Sequence, residues 1–300
     1  MGMAKDVLGK PFGFLPFLRF FPPYRQRFLS LSQSLKGKNK KNFFNLSLFI
    51  FVLSDFQKFL ETAIIEHEES LDRNDPRDFM DMFLIQAEAD TKGIYTRKQL
   101  IHLCLDLFVA GSETTSKSLL YSIASLMRHP DVQTKVQANL DKLGVDEVTM
   151  GHRGRLAYVE ATMAEVWRTC NIAPFGPPRH AHQETRLGDK VIPAGAQVMY
   201  NTYSLHMDPG WGDPEVFRPE RFLDASGDFR TNEMLNPFGI GRRRCLGESL
   251  ARMENFIFFA NIFKTFKFSL TSSAAYPPSL EPDVGFTNGP FPFKTRVTVR

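Results

Sequence analysis

Cysteine is scarce in this sequence: three in 300 residues, Cys104, Cys170 and Cys245, far apart and odd in number. That argues against a disulfide framework and fits a reducing compartment, where thiols stay free. Long apolar runs are missing too. The longest, Phe43 to Leu53, has eleven residues and is interrupted by Asn45 and Ser47, whereas a bilayer crossing needs about twenty. The first ten residues are polar and lack the apolar stretch of a signal peptide or anchor. The sequon Asn45-Leu46-Ser47 is therefore expected to stay unused. A net charge of +4 is too small to argue for nucleic acid, and neither zinc-knuckle spacing, an aromatic-basic pattern nor an internal repeat is present. What is present is 43% hydrophobic content, ample for a packed core.

After an irregular apolar stretch, Pro11–Arg27, and a basic one, Lys36–Lys41, helical patterns dominate. Asp55 to Leu71 repeats Phe56, Phe59, Leu60, Ala63 and Ile64 on one face. The clearest helix opens with a capping box, Thr96-Arg97-Lys98-Gln99, and runs to about Arg128, ahead of His129-Pro130. Leu100, Leu103, Leu105, Leu107, Val109, Leu119 and Ile123 cover most of its circumference, so it is expected to be buried on nearly all sides and to cross the interior. Further helices are expected over Pro130–Leu143, Leu156–Cys170 and Gly247 to about Phe266. Lys190–Pro193 and Gln197–Tyr200 flank Ala194-Gly195 and predict a short hairpin. Asp208–Asp228 reads as ordered loop and Lys294–Arg300 as a terminal strand. The expected fold class is mostly α with small β-sheets.

The stretch from Pro237 to Gly247 carries the chemistry. Cys245 follows a Gly-rich turn and precedes an apolar helix, where free amides and the positive end of the helix dipole favour a thiolate. Gly241 and Gly247 carry no side chain to obstruct a flat cofactor. Phe238 can pack beside the loop, and Arg243 can meet an acidic group. Taken alone, such a cysteine reads as an ordinary buried thiol at a helix start, beside solvated arginines.

The complete pattern, Phe238-x-x-Gly241-x-Arg243-x-Cys245-x-Gly247 followed by Ala251, resembles the signature of the cytochrome P450 family, the haem-thiolate monooxygenases. The resemblance implies the cytochrome P450 fold and a haem (heme b, iron protoporphyrin IX) whose iron takes Cys245 as axial ligand. Phe238, Gly241, Arg243, Gly247 and Ala251 would hold the cofactor. The family uses the thiolate to push electron density towards oxygen and favour O–O cleavage. Ala110-Gly111-Ser112-Glu113-Thr114-Thr115 places Gly111 and Thr114 on the helix face of Leu100, Leu103 and Leu107. A mid-helix threonine commonly bonds back to a carbonyl one turn earlier. The stretch also resembles the family's oxygen-binding motif, which implies that Ala110 and Gly111 border the cofactor. In that motif Thr114 holds an ordered water and Glu113 relays protons.

Glu165 and Arg168 lie three apart on one helix face, which by itself reads as a surface ion pair that contributes little. In the family this pair is buried and joined by an arginine from a Pro-Glu-Arg-Phe segment, here Pro219-Glu220-Arg221-Phe222. The resemblance therefore implies a structural triad of Glu165, Arg168 and Arg221, since buried charges persist only when paired. By the same resemblance Arg179 contacts a haem propionate. Phe175, Gly176 and Pro177, with the turn containing Asn288 and Gly289, would line a pocket for a lipophilic substrate.

The resemblance covers residues 11–36 and 55–300 and looks closest to the microsomal animal branch. The whole chain, 1–300, is expected to be one partial domain. The family's N-terminal half (anchor, Pro-rich hinge, early helices and a Trp/Arg helix) has no counterpart here, so the fold is expected to be N-terminally truncated. Residues 37–54 look inserted, either as non-coding read-through or as a membrane-touching loop. The implied activity is insertion of one oxygen atom from O2 into a lipophilic organic molecule. Electrons would come from a separate NADPH-dependent reductase, for which Arg242 and Arg244 offer a basic face. The alternative is an inactive fragment or gene-model product that binds haem weakly or not at all. The implied location is the cytosolic face of the endoplasmic reticulum, with possible peripheral membrane contact and no nucleic-acid partner.

Overall fold

The computed structural model describes residues 41–271, 277–283 and 287–300, with side chains from Ser54 onward. The expectations for residues 11–36 lie outside that range. Seven helices are described: α1 Lys41–Glu69, α2 Phe79–Glu88, α3 Arg97–Arg128, α4 Pro130–Asp141, α5 Ala157–Cys170, α6 Thr202–His206 and α7 Glu248–Thr265. Eight short strands form four two-stranded antiparallel sheets: β1 Arg179–His180 with β4 Gln197–Val198, β2 Thr185–Leu187 with β3 Lys190–Ile192, β5 Phe266–Ser269 with β8 Arg296–Val299, and β6 Pro282–Asp283 with β7 Gly289–Pro290. The described residues form two compact units that part between Glu113 and Thr114, within α3.

In the unit before that point, residues 41–54 form the first part of α1, continuous with the family-like stretch that follows. Phe56, Leu60 and Ile64 recur every four residues and are buried with Phe83, Leu100 and Ile101. Phe59, expected on the same face, is 57% exposed. It lies about 60° around the helix from Phe56, at the edge of the stripe. Asp78 caps α2 by accepting from the Met80 and Asp81 amides at 2.8 and 3.2 Å. Thr96 caps α3, its Oγ1 accepting from the Gln99 amide at 3.1 Å.

The second unit has the larger core. Leu126, Val136, Leu140, Val159, Met163, Phe256, Phe259 and Phe263 join the end of α3 with α4, α5 and α7. Buried Gln133 ties β5 to these helices. Its Nε2 donates to the Leu126 and Phe268 carbonyls at 3.2 and 2.9 Å, and its Oε1 accepts from the Phe268 amide at 2.8 Å.

Two expectations are corrected. α3 is not buried on nearly all sides: Leu107 and Leu120 are 42% and 45% exposed, and His102, Asp106, Ala110 and Gly111 are exposed as well. The leucines wrap the helix, but polar residues interrupt one side of it. Nor do Lys190–Pro193 and Gln197–Tyr200 pair with each other. β3 pairs back with β2 through a turn whose Gly188 has φ 60°, while β4 pairs with β1 outside it. Gly188 supplies the positive φ that a two-residue hairpin turn requires, whereas the Pro193–Ala196 turn directs its strand towards β1. The Asp208–Asp228 loop contains 3₁₀ turns at Pro209–Trp211 and Pro219–Phe222, each opened by a proline.

Candidate functional site

A buried ion network underlies the site. The Glu165 carboxylate accepts from Arg168 Nε and Nη2, both at 2.8 Å, from Arg221 Nε at 3.1 Å and from the Arg218 amide at 2.8 Å. Side-chain exposure is 0% for Glu165 and Arg168 and 5% for Arg221. Helical spacing puts the first two on one face of α5, and the Pro219–Phe222 turn presents the third. Most of the remaining guanidinium hydrogens go to backbone carbonyls, and Arg221 Nη2 also meets the Asp213 carboxylate at 3.0 Å. Arg168 donates to His206, Pro214 and Val216, and Arg221 to Trp211, Asp213 and Val216. Both cations also lie over the Trp211 ring, at 5.3 and 5.9 Å. The three residues thus come together as a densely hydrogen-bonded cluster that also ties down the loop from 206 to 221.

The cysteine loop rests on the other face of α5. Phe238 meets the Trp167 ring edge-on at 5.6 Å, and Trp167 Nε1 donates to Ser118 Oγ on α3 at 2.9 Å. The Arg252 guanidinium, paired with Glu248, covers both rings at 4.8 and 5.1 Å. From Phe238 the loop turns through Gly239 and Gly241, at φ 75° and 77°, and the Cys245 amide returns to the Phe238 carbonyl at 2.9 Å. Cys245 is exposed, two residues before the Gly247 cap of α7. It lines a cavity of about 790 Å³ with Pro177, Arg179, Gly241, Arg243 and Arg252 among others.

The other expected residues divide. Arg179 Nη2 donates to the Arg243 carbonyl at 3.3 Å, and its guanidinium lies 5.8 Å from the Tyr200 ring centre. Ala251 sits in the first turn of α7, its amide bonded to the Gly247 carbonyl. Of the expected pocket residues, Pro177 lines the cavity. Phe175 is 55% exposed, and Gly176 is packed against Tyr200, where a Cβ would overlap the ring. Asn288 and Gly289 are buried at the end of α5. The Asn288 amide donates to the Ile172 carbonyl at 2.7 Å, and its Nδ2 to the Asn171 carbonyl at 3.1 Å. Glu113 is buried and Thr114 half-buried, on either side of the boundary between the units.

Sequence reasoning missed His206, Asn171 and Asn236. Asn171 ends α5 at φ 41°, a left-handed position that asparagine tolerates. Its Oδ1 lies 2.8 Å from His206 Nδ1, while His206 Nε2 accepts from the Asn236 amide at 3.1 Å. An isolated histidine before Met207-Asp208-Pro209 gives no periodic signal, and the left-handed Asn171 was the only local cue.

The comparisons with known proteins agree with one another. The family model "Cytochrome P450" matches residues 43–297. Mus musculus cytochrome P450 2U1 is 37% identical over 253 residues, which is 82% of this chain and 48% of that protein. Bombyx mori farnesoate epoxidase is 35% identical over 284 residues, 94% of this chain and 54% of that protein. A solved zebra fish cytochrome P450 with abiraterone superposes with a TM-score of 0.74 at 35% identity, covering 82% of this chain and 59% of that one. The chain thus spans about half the length of the curated relatives it matches.

The loop residues suit the haem that this kinship implies. The positions where a Cβ would stand on Gly241 and Gly247 are open, leaving room for a flat ring against the backbone. Leu246 and Leu250 are 89% and 56% exposed around the exposed sulfur. Such apolar surface suits a porphyrin face, and the flanking arginines suit its carboxylates. Gly247, at φ −85°, has a backbone open to any residue, so what would favour glycine there is the room a bound ring needs. The extent of the match and the likeness in structure leave one conclusion: this chain belongs to the cytochrome P450 family, whose cofactor is haem.

Proposed function

We propose that the protein is a haem-thiolate monooxygenase that inserts one atom of O2 into a lipophilic organic molecule. The observation that carries this reading is the exposed Cys245 on a glycine-turned loop, bordered by arginines and set before α7. Haem, when bound, supplies the oxygen chemistry, and a thiolate ligand supplies electron density for O–O cleavage. Cys245 is the ligand in this reading. Arg179 and Arg243 orient the propionates, and Gly241 and Gly247 admit the ring edge. Glu165, Arg168 and Arg221 hold the scaffold beneath. On α3, Thr114 positions a water and Glu113 passes protons to the oxygen site, a role suited to a buried carboxyl.

Electrons come from a separate NADPH-dependent reductase docking on the basic face of Arg242 and Arg244, at the cytosolic side of the endoplasmic reticulum. Among the described residues no helix is long and apolar enough to cross a membrane. The substrate class is apolar, in keeping with relatives whose names include a farnesoate epoxidase and a structure solved with abiraterone. The test is spectroscopic. The chain is expressed with haem precursor, reduced and exposed to carbon monoxide, and the Soret band is recorded. A thiolate-type band that Cys245→Ala abolishes supports the reading; no haem uptake, or unchanged uptake without the sulfur, overturns it.

A further inference from the structure

We infer that His206 is a positioning residue for the cysteine loop, linking the end of the α5 helix to the loop through one hydrogen bond on each ring nitrogen. The proposal rests on the haem-thiolate reading for its consequence, but the link itself stands on geometry alone. His206 is fully buried at the end of α6. Its Nε2 faces the Asn236 amide, which can only donate, so Nε2 is the acceptor. Nδ1 therefore carries the proton and donates to Asn171 Oδ1 at 2.8 Å. Asn171 is fixed in turn, because its Nδ2 donates to the Arg168 carbonyl at 2.8 Å. Arg168 itself donates to the His206 carbonyl at 2.9 Å. The ring is held at both ends and its tautomer is determined.

Asn236 begins the segment that carries Phe238. Its carbonyl accepts from the Gly239 amide, and two residues on, the Phe238 carbonyl accepts from the Cys245 amide. Two hydrogen bonds and three covalently joined residues thus separate the histidine ring from the cysteine backbone. A slack Asn236 would loosen the Gly239 turn and with it the height of the sulfur above the loop. Burial and the Arg168 charge hold the imidazole well below its usual pKa, at about 4, so the acceptor state persists through neutral pH.

Three variants of the full chain test this: His206→Gln, His206→Asn and His206→Phe. The glutamine carbonyl reaches as far as Nε2 and can still accept from Asn236; the asparagine carbonyl reaches only the Nδ1 position. Amide hydrogen exchange at Asn236 is measured with and without haem, against amides of α5 as internal control. The thiolate-type fraction of the reduced carbon monoxide complex is read alongside.

The expected result is exchange at Asn236 at least tenfold faster in the Asn and Phe variants, with a reduced thiolate-type fraction. The Gln variant should resemble the parent in both. Asn236 protection unchanged in the Asn variant, or lost only in step with the α5 amides, overturns the proposal. If the parent takes up no haem, the functional reading fails, and the exchange arm alone still decides the His206 link.

Discussion

Glu165→Gln keeps the shape of a buried side chain while removing its charge. Two guanidinium ions, 0% and 5% exposed, then lose the anion that accepts three of their hydrogen bonds. Breaking a buried pair from one side costs about 3–5 kcal/mol, against a total stability of about 5–15 kcal/mol. Asp213, whose carboxylate also meets Arg221 at 3.0 Å, is 41% exposed and offers only a screened replacement. At roughly 2–4 °C per kcal/mol for a body of this size, the midpoint should fall by about 6–20 °C.

Thermal and urea unfolding of the haem-free chain read this directly, and a shift below about 2 °C refutes the reasoning. A triple apolar replacement, Glu165→Leu with Arg168→Met and Arg221→Met, sharpens it. Such exchanges often restore stability at ordinary buried pairs. Here they should not, because the carbonyls of His206, Pro214, Val216 and Trp211 lose their donors, and each buried orphan costs about 1–3 kcal/mol.

Cys170 is buried, and that burial pushes its thiol up to about 12. Iodoacetamide at pH 8 should therefore label exposed Cys245 in the native chain and spare Cys170 until urea is added; equal labelling in native conditions contradicts this packing. Gly241→Ala, forced to φ 77° with nothing to clash against, should cost about 1–2 kcal/mol of strain in urea unfolding, and Gly241→Asn less. Gln133→Leu removes the donor to Leu126 and Phe268 and the acceptor for the Phe268 amide, so it should destabilise by about 1–3 kcal/mol despite being more apolar. For His206 the folded pKa of about 4 lies below the ordinary value of 6.5. Its contribution is therefore complete above pH 6.5, shrinks as pH falls to 4 and is then spent, a loss of about 3 kcal/mol. A urea series from pH 7 to 4 should show that slope, and His206→Gln should flatten it.

Much of this was legible in the sequence, and the reason differs from feature to feature. α3, α4, α5 and α7 announced themselves because their apolar residues recur at helical spacing and prolines or caps mark their ends. The Glu165–Arg168–Arg221 cluster was legible only through the family resemblance, since an acid and a base three apart on a helix face read, by themselves, as a surface ion pair. The pairing of β1 to β4 was not, since strands of two or three residues carry almost no alternation, and the choice of partner fell to the φ of Gly188. The openness of α3 was also hidden. A ring of leucines predicts burial only if something covers every side, and sequence periodicity does not say what does. The anchoring of the Asn288–Gly289 turn was not legible either: the Asn288 amide and its side-chain Nδ2 donate to the Ile172 and Asn171 carbonyls at the end of α5, more than a hundred residues earlier in the chain.

His206 shows most clearly where local reading ends. No pattern within its own segment marks it, because its two partners lie 35 residues before and 30 residues after it. What gives it weight is the order in which constraints accumulate. The ion cluster fixes Arg168, whose carbonyl fixes Asn171, and Asn171 orients an imidazole that can then accept only from Asn236. Each step narrows the freedom of the next, and the last holds the segment leading to Phe238 and Cys245. A residue at the end of such a chain contributes through geometry and not through its own reactivity. Substitutions there should therefore alter how the sulfur is presented before they alter whether the protein folds.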